Sequence, residues 1–348
     1  MVRLGAVALL PLLVCAALCG GPKPAQAAFA VCPSPEDATP TTAADWGLHL
    51  AMAQAVQEAL RLEGAELAIV SRAGLNLRPI GQGYSHAGFL RPPTGAGAAQ
   101  PWTVRQLYWD CDTAQPRIFD EGLASFVAAK ATGTLPRLSV LWWPAQGPDK
   151  GLDKGPGKGP DKGPDKGPEK GPDKGQDRGQ DDRWSEAPAT VLARAVADEG
   201  LALRLLSPRY QAHAHAWSPH TQNCNQWLVE MLAAAFGGAR DRAGAQAWLR
   251  EQAYEPAVVR LPWAGWLWAA AVMPHLGLEH HPQEDLRALQ LQLSLPSSIE
   301  DFVRRRWPQV QRTEWCRRGQ ELVVRSGWQP LDEACTPRVG DRRLALSP

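Results

Sequence analysis

A lone cysteine stands at the start of a predicted helix in the segment HTQNCNQWLVEMLAAAFGG, residues 220–238. The apolar residues after it recur with the spacing of one helical face, namely Trp227, Leu228, Met231, Leu232 and Ala235. Asn223 suits the N-cap, and Gly237 with Gly238 suits the end of the helix. Cys224 would then meet unpaired backbone N–H groups and the positive end of the helix dipole, which lower the pKa of a thiol. The pattern predicts a reactive thiol, with a small buried hydrophobe as the alternative.

A cysteine nucleophile needs a base, and the base needs a group that orients it. In the predicted strand YSHAGFL, His86 shares a face with Tyr84 and Gly88, and the glycine leaves room for close approach. We expect this face to meet the N-terminus of the Cys224 helix. In the next predicted strand, WTVRQLYWD, the amide oxygen of Gln106 could accept the imidazole N–H and set its tautomer.

The motifs SHAGF and, far downstream, NCNQW resemble the circularly permuted branch of the NlpC/p60 papain-like superfamily. Their Asn-Cys-x-x-aromatic setting is also similar to that of lecithin:retinol acyltransferases. The resemblance implies an α+β, permuted papain-like fold with an antiparallel sheet packed against helices and a disordered insertion. It also implies a nucleophile at Cys224 and a base at His86. The third catalytic position, often histidine in these relatives, falls near Gln106, and a glutamine there supports positive charge less well than an acid.

The whole chain resembles more closely an exported bacterial family catalogued as domain of unknown function 2145. The shared features are IVSRAG, YSHAGF, DEGL, NCNQW and AWL. This resemblance covers roughly residues 32–305 without the repeat described below, and it leaves out the tail from Trp307 onward.

The first 27 residues have the build of a secretory signal peptide. Arg3 precedes an apolar run, and the small residues Ala25 and Ala27 precede the expected cleavage point. No later stretch reaches the roughly 20 apolar residues that span a bilayer. We therefore expect a periplasmic or secreted protein without a stable membrane span.

Five cysteines remain after the signal segment, an odd number for an oxidising compartment. Cys316 and Cys335 share one tail and are candidate partners, and Cys32 with Cys111 follows by elimination. That assignment leaves Cys224 as the free thiol. Sequence alone does not fix the connectivity, so the other pairings stay open.

Residues 147–183 repeat a Lys-Gly-Pro-Asp-like unit with almost no apolar side chain. Such a segment cannot bury a core, and we expect a solvated insertion. The predicted organisation is a signal peptide (1–27), a first papain-like part with the histidine strand (28–146), the insertion (147–183), a second part with the cysteine helix (184–306) and a Pro/Arg-rich tail (307–348). The insertion could interrupt a single domain.

Periodicity and turn residues predict the remaining elements. Strands are expected at 66–72, 84–90, 102–110, 137–144, 257–261 and 285–296. Helices are expected at 45–62, 120–130, 188–199, 241–252 and 297–306, besides the helix that begins at Cys224 and stops at Gly237-Gly238. The last helix carries a Ser297–Glu300 capping box.

Other chemistries have weaker support. A net charge of +1 gives no nucleic-acid footprint. The histidines of HAHAWSPH and EHHP lack the partner spacing of a metal site, although His215 or His220 could border the Cys224 cleft. Asp120 and Glu121 fit a helix start better than a glycosidase pair, and Gly95-Ala96-Gly97 fits a turn. We expect no metal and no cofactor.

Two function classes remain. The first is an exported thiol hydrolase or acyltransferase acting on amide or ester bonds, with cell-wall peptide or a small acyl compound as substrate. The second is a non-catalytic periplasmic binding or scaffold module that keeps the fold.

Overall fold

The computed structural model describes residues 41–93, 101–129, 133–144, 186–260 and 278–347. The predicted signal segment, Cys32, the turn at 95–97 and the repeat at 147–183 lie outside these ranges. Within them, no helix combines the length and the apolar character needed to cross a membrane.

An eight-stranded antiparallel sheet forms the centre of the fold, with strand order β10-β9-β8-β5-β1-β2-β3-β4. Its strands are β1 (Ala68–Arg72), β2 (His86–Arg91), β3 (Thr103–Asp110), β4 (Gln115–Gly122), β5 (Arg137–Trp142), β8 (Gln311–Arg318), β9 (Glu321–Ser326) and β10 (Arg342–Ala345). A separate antiparallel pair consists of β6 (Ala257–Arg260) and β7 (Gln290–Leu293).

Helices cover both faces of this sheet, so the fold is mixed α+β, as predicted. They are α1 (Ala43–Leu62), α2 (Leu123–Ala128), α3 (Pro188–Ala197), α4 (Glu199–Arg204), α5 (Cys224–Gly237), α6 (Arg242–Glu251), α7 (Gln283–Arg287) and α8 (Pro296–Arg306). Short 3-10 turns lie at Arg78–Ile80 and Leu278–His280.

Strand alternation divides the core into two layers. On one face, Val70 and Leu90 pack with the buried side of α1 and α2. On the other face, Ile69 and Phe89 pack with α3, α5, α6 and α8. The rings of Phe89 and Trp227 meet edge to face, with centroids 6.0 Å apart, which fixes α5 across β2.

Strands from both sides of the repeat share this one sheet. β5 precedes the repeat and pairs with β1 on one side and with β8 on the other, as in the Arg137–Cys316 pair. The segment 307–348, for which we predicted no strands, supplies β8, β9 and β10. The apolar pattern of a buried strand is missing here, because charged residues take buried positions. Arg312, for example, is buried in ion pairs with Glu300 and Glu314.

Three local predictions are wrong. The helix predicted at 120–130 begins too early, since β4 runs to Gly122 and α2 begins only at Leu123. The strand predicted at 285–296 holds α7 and the shorter β7. The cap of α8 uses Ser298, whose hydroxyl accepts from Leu295 N at 3.2 Å, rather than Ser297 with Glu300.

Candidate functional site

Cys224 is the first residue of α5, as the sequence predicted. The Asn223 side chain caps the helix, its Oδ1 accepting from Gln226 N at 2.7 Å. Gly238 ends it in the left-handed region with φ 69°. Cys224 is the free cysteine of the described residues and is only 5% exposed.

Two asparagines hold the N-terminus of α5 in place. Asn223 Nδ2 donates to the carbonyl of Ser294 at 3.3 Å. Asn225 Nδ2 donates to the carbonyl of Ser85 at 3.0 Å. Ser85 directly precedes His86, so the cysteine end of α5 is tied to the beginning of β2.

A chain of side-chain hydrogen bonds runs across three neighbouring strands. His86 Nε2 on β2 bonds to Gln106 Oε1 on β3, and Gln106 Nε2 donates to Glu121 Oε1 on β4. His86 and Gln106 are buried. The pairing of His86 with Gln106 agrees with the orienting contact expected from the sequence, and Glu121 extends it.

This chain sets the tautomer of the imidazole. Burial raises the pKa of Glu121, while the Arg72 charge and the bond from Gln106 favour its ionised form. In that form Glu121 only accepts hydrogen bonds, so the amide nitrogen of Gln106 faces it. The amide oxygen then faces His86, whose Nε2 must carry the proton. Nδ1 is left with its lone pair, which is the form of imidazole that can accept a proton.

His86 lies on the face of β2 opposite to the one that α5 covers. That face belongs to Ala87 and Phe89. The His86 ring instead contacts the other layer, with centroids 5.7 Å from Tyr108 and 5.8 Å from Phe126. The period-2 alternation of the strand causes this difference, because Ala87 and Phe89 point to the side of α5 and His86 therefore points to the other side.

A buried arginine links the two groups electrostatically. Arg72 lies opposite His86 in the β1–β2 ladder, with its guanidinium 5.0 Å from the Phe126 ring centroid. Burial lowers the pKa of Arg72, while Tyr108, Glu121 and Cys224 oppose that shift. The arginine therefore places positive charge within electrostatic reach of both the sulfur and the imidazole.

The pKa values make both groups neutral at rest. Burial raises the pKa of the Cys224 thiol to about 11, against the opposing effects of the Tyr210 hydroxyl, Arg72 and backbone N–H groups. Burial and the Arg72 charge lower the pKa of His86 to about 3, although its bond to Gln106 favours the charged form. The low thiol pKa expected from the helix N-terminus is thus reversed, because desolvation outweighs the helix end.

The loop before Cys224 is held by a buried carboxylate on α5. Glu230 accepts from Gln222 Nε2 at 2.6 Å, from Gln246 Nε2 at 3.0 Å and from Arg242 Nε at 2.9 Å. Arg242 also donates to the loop carbonyl of Thr221 at 3.1 Å. These bonds fix the backbone of the loop before Cys224 and so hold Cys224 near the beginning of β2.

The histidines of the two further motifs contact one another. His213 and His215 pack their rings against His281, and His215 Nε2 lies 3.5 Å from an Asp285 carboxylate oxygen. The His220 ring contacts His280. In the described part of the chain, no group of three or more His, Cys, Asp or Glu side chains is arranged to hold a metal ion.

One of the two cysteine pairs considered from the sequence lies within the described residues. Cys316 and Cys335 form a disulfide with their Cα atoms 6.1 Å apart, which confirms that pair. Cys111 is also disulfide-bonded, while Cys32, its expected partner, lies outside the described residues.

Three residues of this region escaped the sequence reasoning. Glu121 was placed at a helix start, although its strand position on β4 puts it beside β3. Arg72 ends a predicted strand, and an arginine in an otherwise apolar strand was the available signal. Tyr210, whose hydroxyl interacts with the Cys224 sulfur, lies in a polar loop whose sequence carries no such signal.

Comparison with known proteins places this site within a bacterial family. Residues 59–143 and 183–303 match the family model DUF2145, described as an uncharacterized protein conserved in bacteria. No curated protein and no solved structure shows significant similarity to the chain. Cys224, His86, Gln106 and Glu121 all lie inside the matched ranges. Since these matched ranges make up more than half of the chain, the chain belongs to the DUF2145 family.

Proposed function

We propose that this protein is an exported thiol hydrolase or acyltransferase that acts on amide or ester bonds. Cys224 is the nucleophile, His86 the base and Gln106 the orienting group, in a permuted papain-like arrangement similar to that of NlpC/p60 enzymes. The observation that carries the proposal is the hydrogen-bond chain from Glu121 through Gln106 to His86. It prepares a proton-accepting Nδ1 at the strand end to which the start of α5 is tied.

The resting pair in this mechanism is a neutral thiol and a neutral imidazole. As the Cys224 sulfur attacks the carbonyl carbon, His86 Nδ1 takes the thiol proton, so no free thiolate has to form first. The imidazolium then gives that proton to the leaving amine or alcohol, and a thioester remains on the enzyme. Attack by water, or by a second acceptor hydroxyl or amine, releases the acyl group and restores the thiol. Arg72 favours negative charge near the sulfur, and Glu121 behind Gln106 offsets the cost of the imidazolium.

The proposed location and substrate follow from the compartment. The Cys316–Cys335 disulfide is typical of a protein that leaves the reducing cytoplasm. Together with the predicted signal segment, it favours a periplasmic or secreted site of action. Peptide of the cell wall is the amide substrate found there, with small acyl esters as the second candidate.

One observation favours a second function, a non-catalytic binding or scaffold module. Cys224 is 5% exposed and its thiol pKa is raised, which suits an inert core residue. In such a module the His86 chain would only satisfy buried polar groups. The two functions differ in whether the sulfur can be acylated.

Intact-protein mass spectrometry with p-nitrophenyl acetate tests this difference. The enzyme should gain one acetyl group, mapped to Cys224, and release it on further incubation. The Cys224→Ser variant should not gain this acetyl group. His86→Ala should slow acylation by about 10²–10⁴-fold. His220→Ala is the matched control, because its ring lies with His280 and should leave the rate unchanged.

A parallel digest of cell-wall fragments, analysed for new amine ends, addresses the substrate. Acetylation of Cys224 without any cleavage would support the proposed thiol enzyme and refute cell-wall peptide as its substrate. If folded protein with a free Cys224 shows no acetylation and no cleavage, the enzyme is refuted and the binding module is the function that stays.

A further inference from the structure

Three histidine rings lie in contact where the loop before Cys224 meets the segment that follows the turn Leu278–His280. The His213 and His281 rings are stacked, with centroids 6.2 Å apart and planes at 12°. The His215 ring meets His281 edge to face at 5.5 Å, and these two residues are buried. Because like charges this close repel each other, protonating more than one ring is costly while the rings stay in contact.

This histidine cluster lies at the junction between the loop 210–217 and β7. Ala216 N donates to the carbonyl of Gln292 at 2.9 Å, and His215 forms an isolated β-bridge with β7. Nε2 of His215 lies 3.5 Å from the Asp285 carboxylate, which also accepts from the Gln292 side chain at 3.1 Å. The histidines therefore lie beside the bonds that hold the loop to β7.

Both buried rings are neutral in this arrangement, with the proton on Nε2. His281 Nε2 lies 2.9 Å from the carbonyl of His213, which can only accept, and His215 Nδ1 accepts from Trp217 N at 3.3 Å. A second proton on His215 would point at the Trp217 N–H. A second proton on His281 would lie at Nδ1, which is buried without a hydrogen-bond partner in the described part of the chain. Each ring therefore gains a proton at low cost only if the loop moves.

Burial and charge together oppose protonation of these two rings. Burial lowers the pKa of His281 to about 4, and His213 and His215 act in the same direction, against the His213 carbonyl and Asp285. Burial also lowers the pKa of His215, where the Asp285 carboxylate favours the charged form and the Arg250 guanidinium disfavours it. Asp285 lies on α7 and Arg250 on α6, so the helices on both sides contribute a charge.

We propose that this histidine cluster is an acid-sensitive latch, which releases the loop 210–217 from β7 in mild acid. In the released loop the rings meet water and take up protons near the ordinary histidine pKa of about 6.5. In the closed loop His281 takes up a proton only at a pH of about 4. The closed form is therefore fully favoured above about pH 6.5 and loses that advantage progressively as the pH falls through the acid range.

Release of the loop would reach the candidate site, because the loop carries two of its contacts. The Tyr210 hydroxyl interacts with the Cys224 sulfur, and the Asn223 cap donates to the carbonyl of Ala212 at 3.3 Å. In mild acid the sulfur therefore loses a partner and the start of α5 loses a tie, whereas both contacts persist at higher pH. The latch needs no reaction at Cys224, and it stands whether the protein is an enzyme or a binding module.

Hydrogen exchange of the full chain between pH 5 and 7.5, read by mass spectrometry, tests the latch. The reporter is the Ala216 amide, whose bond to Gln292 breaks on release, and exchange rates are corrected for the intrinsic effect of pH. Its protection should fall by about 30-fold over this range through His281 alone, since the released loop binds a proton that the closed loop does not. Protection of β1 reports global unfolding and should fall much less.

The double variant His215→Gln with His281→Gln removes the two buried rings and should remove most of this pH dependence. Each variant is compared with its own value at pH 7.5, so a variant of lower stability still answers the question. His220→Gln is the matched control and should keep the wild-type dependence, because His220 is exposed and its ring contacts His280. The proposal is overturned if the wild-type Ala216 protection falls no more than that of β1. It is equally overturned if the double variant keeps the wild-type fall.

Discussion

Alkylation of Cys224 should be slow at neutral pH and should keep rising far into the alkaline range. Burial raises its thiol pKa from 9.0 to about 11, which corresponds to about 3 kcal/mol against ionisation. At any pH well below 9, the thiolate fraction is therefore about 100-fold lower than in an unfolded chain. The rate constant for iodoacetamide should climb about tenfold per pH unit up to roughly pH 10.

The assay is alkylation of the native protein between pH 6 and 10.5, read by peptide mapping of Cys224, with urea-unfolded protein as reference. No reductant is added, so the Cys316–Cys335 disulfide stays closed. Shielding of the buried sulfur slows the reaction equally at each pH, and for that reason the pH slope is the relevant quantity. Tyr210→Phe should move the profile to still higher pH, because it removes a hydroxyl that favours the thiolate.

His86→Ala is the more telling variant. With a pKa of about 3, His86 carries no charge over the assay range, so its removal should leave the thiol titration unchanged. A plateau of the wild-type rate below pH 9 would refute the reasoning. A clear upward shift of the profile in His86→Ala would show instead that a charged imidazolium stabilises the thiolate in a resting ion pair.

Three further predictions concern stability, and urea unfolding measures all of them. The double variant Cys316→Ser with Cys335→Ser should lose about 3 kcal/mol, the value for a loop of this length, and equal stability of variant and wild type would contradict it. Replacing residues 147–183 by a short Gly-Ser loop should preserve cooperative unfolding and add about 1 kcal/mol through a smaller loop-closure cost; a large loss would mean that the repeat packs on the domain. Gly88→Ala should cost about 1–3 kcal/mol, since its Cβ would lie 2.6 Å from a neighbouring side-chain carbon, whereas a Cβ at Gly122, the control, has no neighbour within 4 Å.

Elements with local signals were predicted well. The limits of α5 follow from Asn223 as cap and Gly238 as stop, both of which act within one helical turn. The contact of His86 with Gln106 was also within reach, because consecutive strands usually pair.

The rest depends on contacts between distant parts of the chain. Nothing near Cys224 in the sequence shows how deeply the sulfur is buried, so the sign of its pKa shift was predicted wrongly. The strands after Trp307 were missed because their charged side chains are buried by partners elsewhere, as with Arg312 and Glu300. The face of β2 that α5 covers was likewise set by the packing of Phe89 on Trp227.

The position of β8 beside β5 has a consequence for biosynthesis. One edge of β5 pairs with β8, with Arg137 opposite Cys316. That edge has no partner until the last part of the chain has left the ribosome or the export channel. An open strand edge invites pairing with another chain, and so distant a partner slows closure. Fragments that end after α8 should therefore self-associate through β5, so β8 protects the finished protein from aggregation by covering that edge.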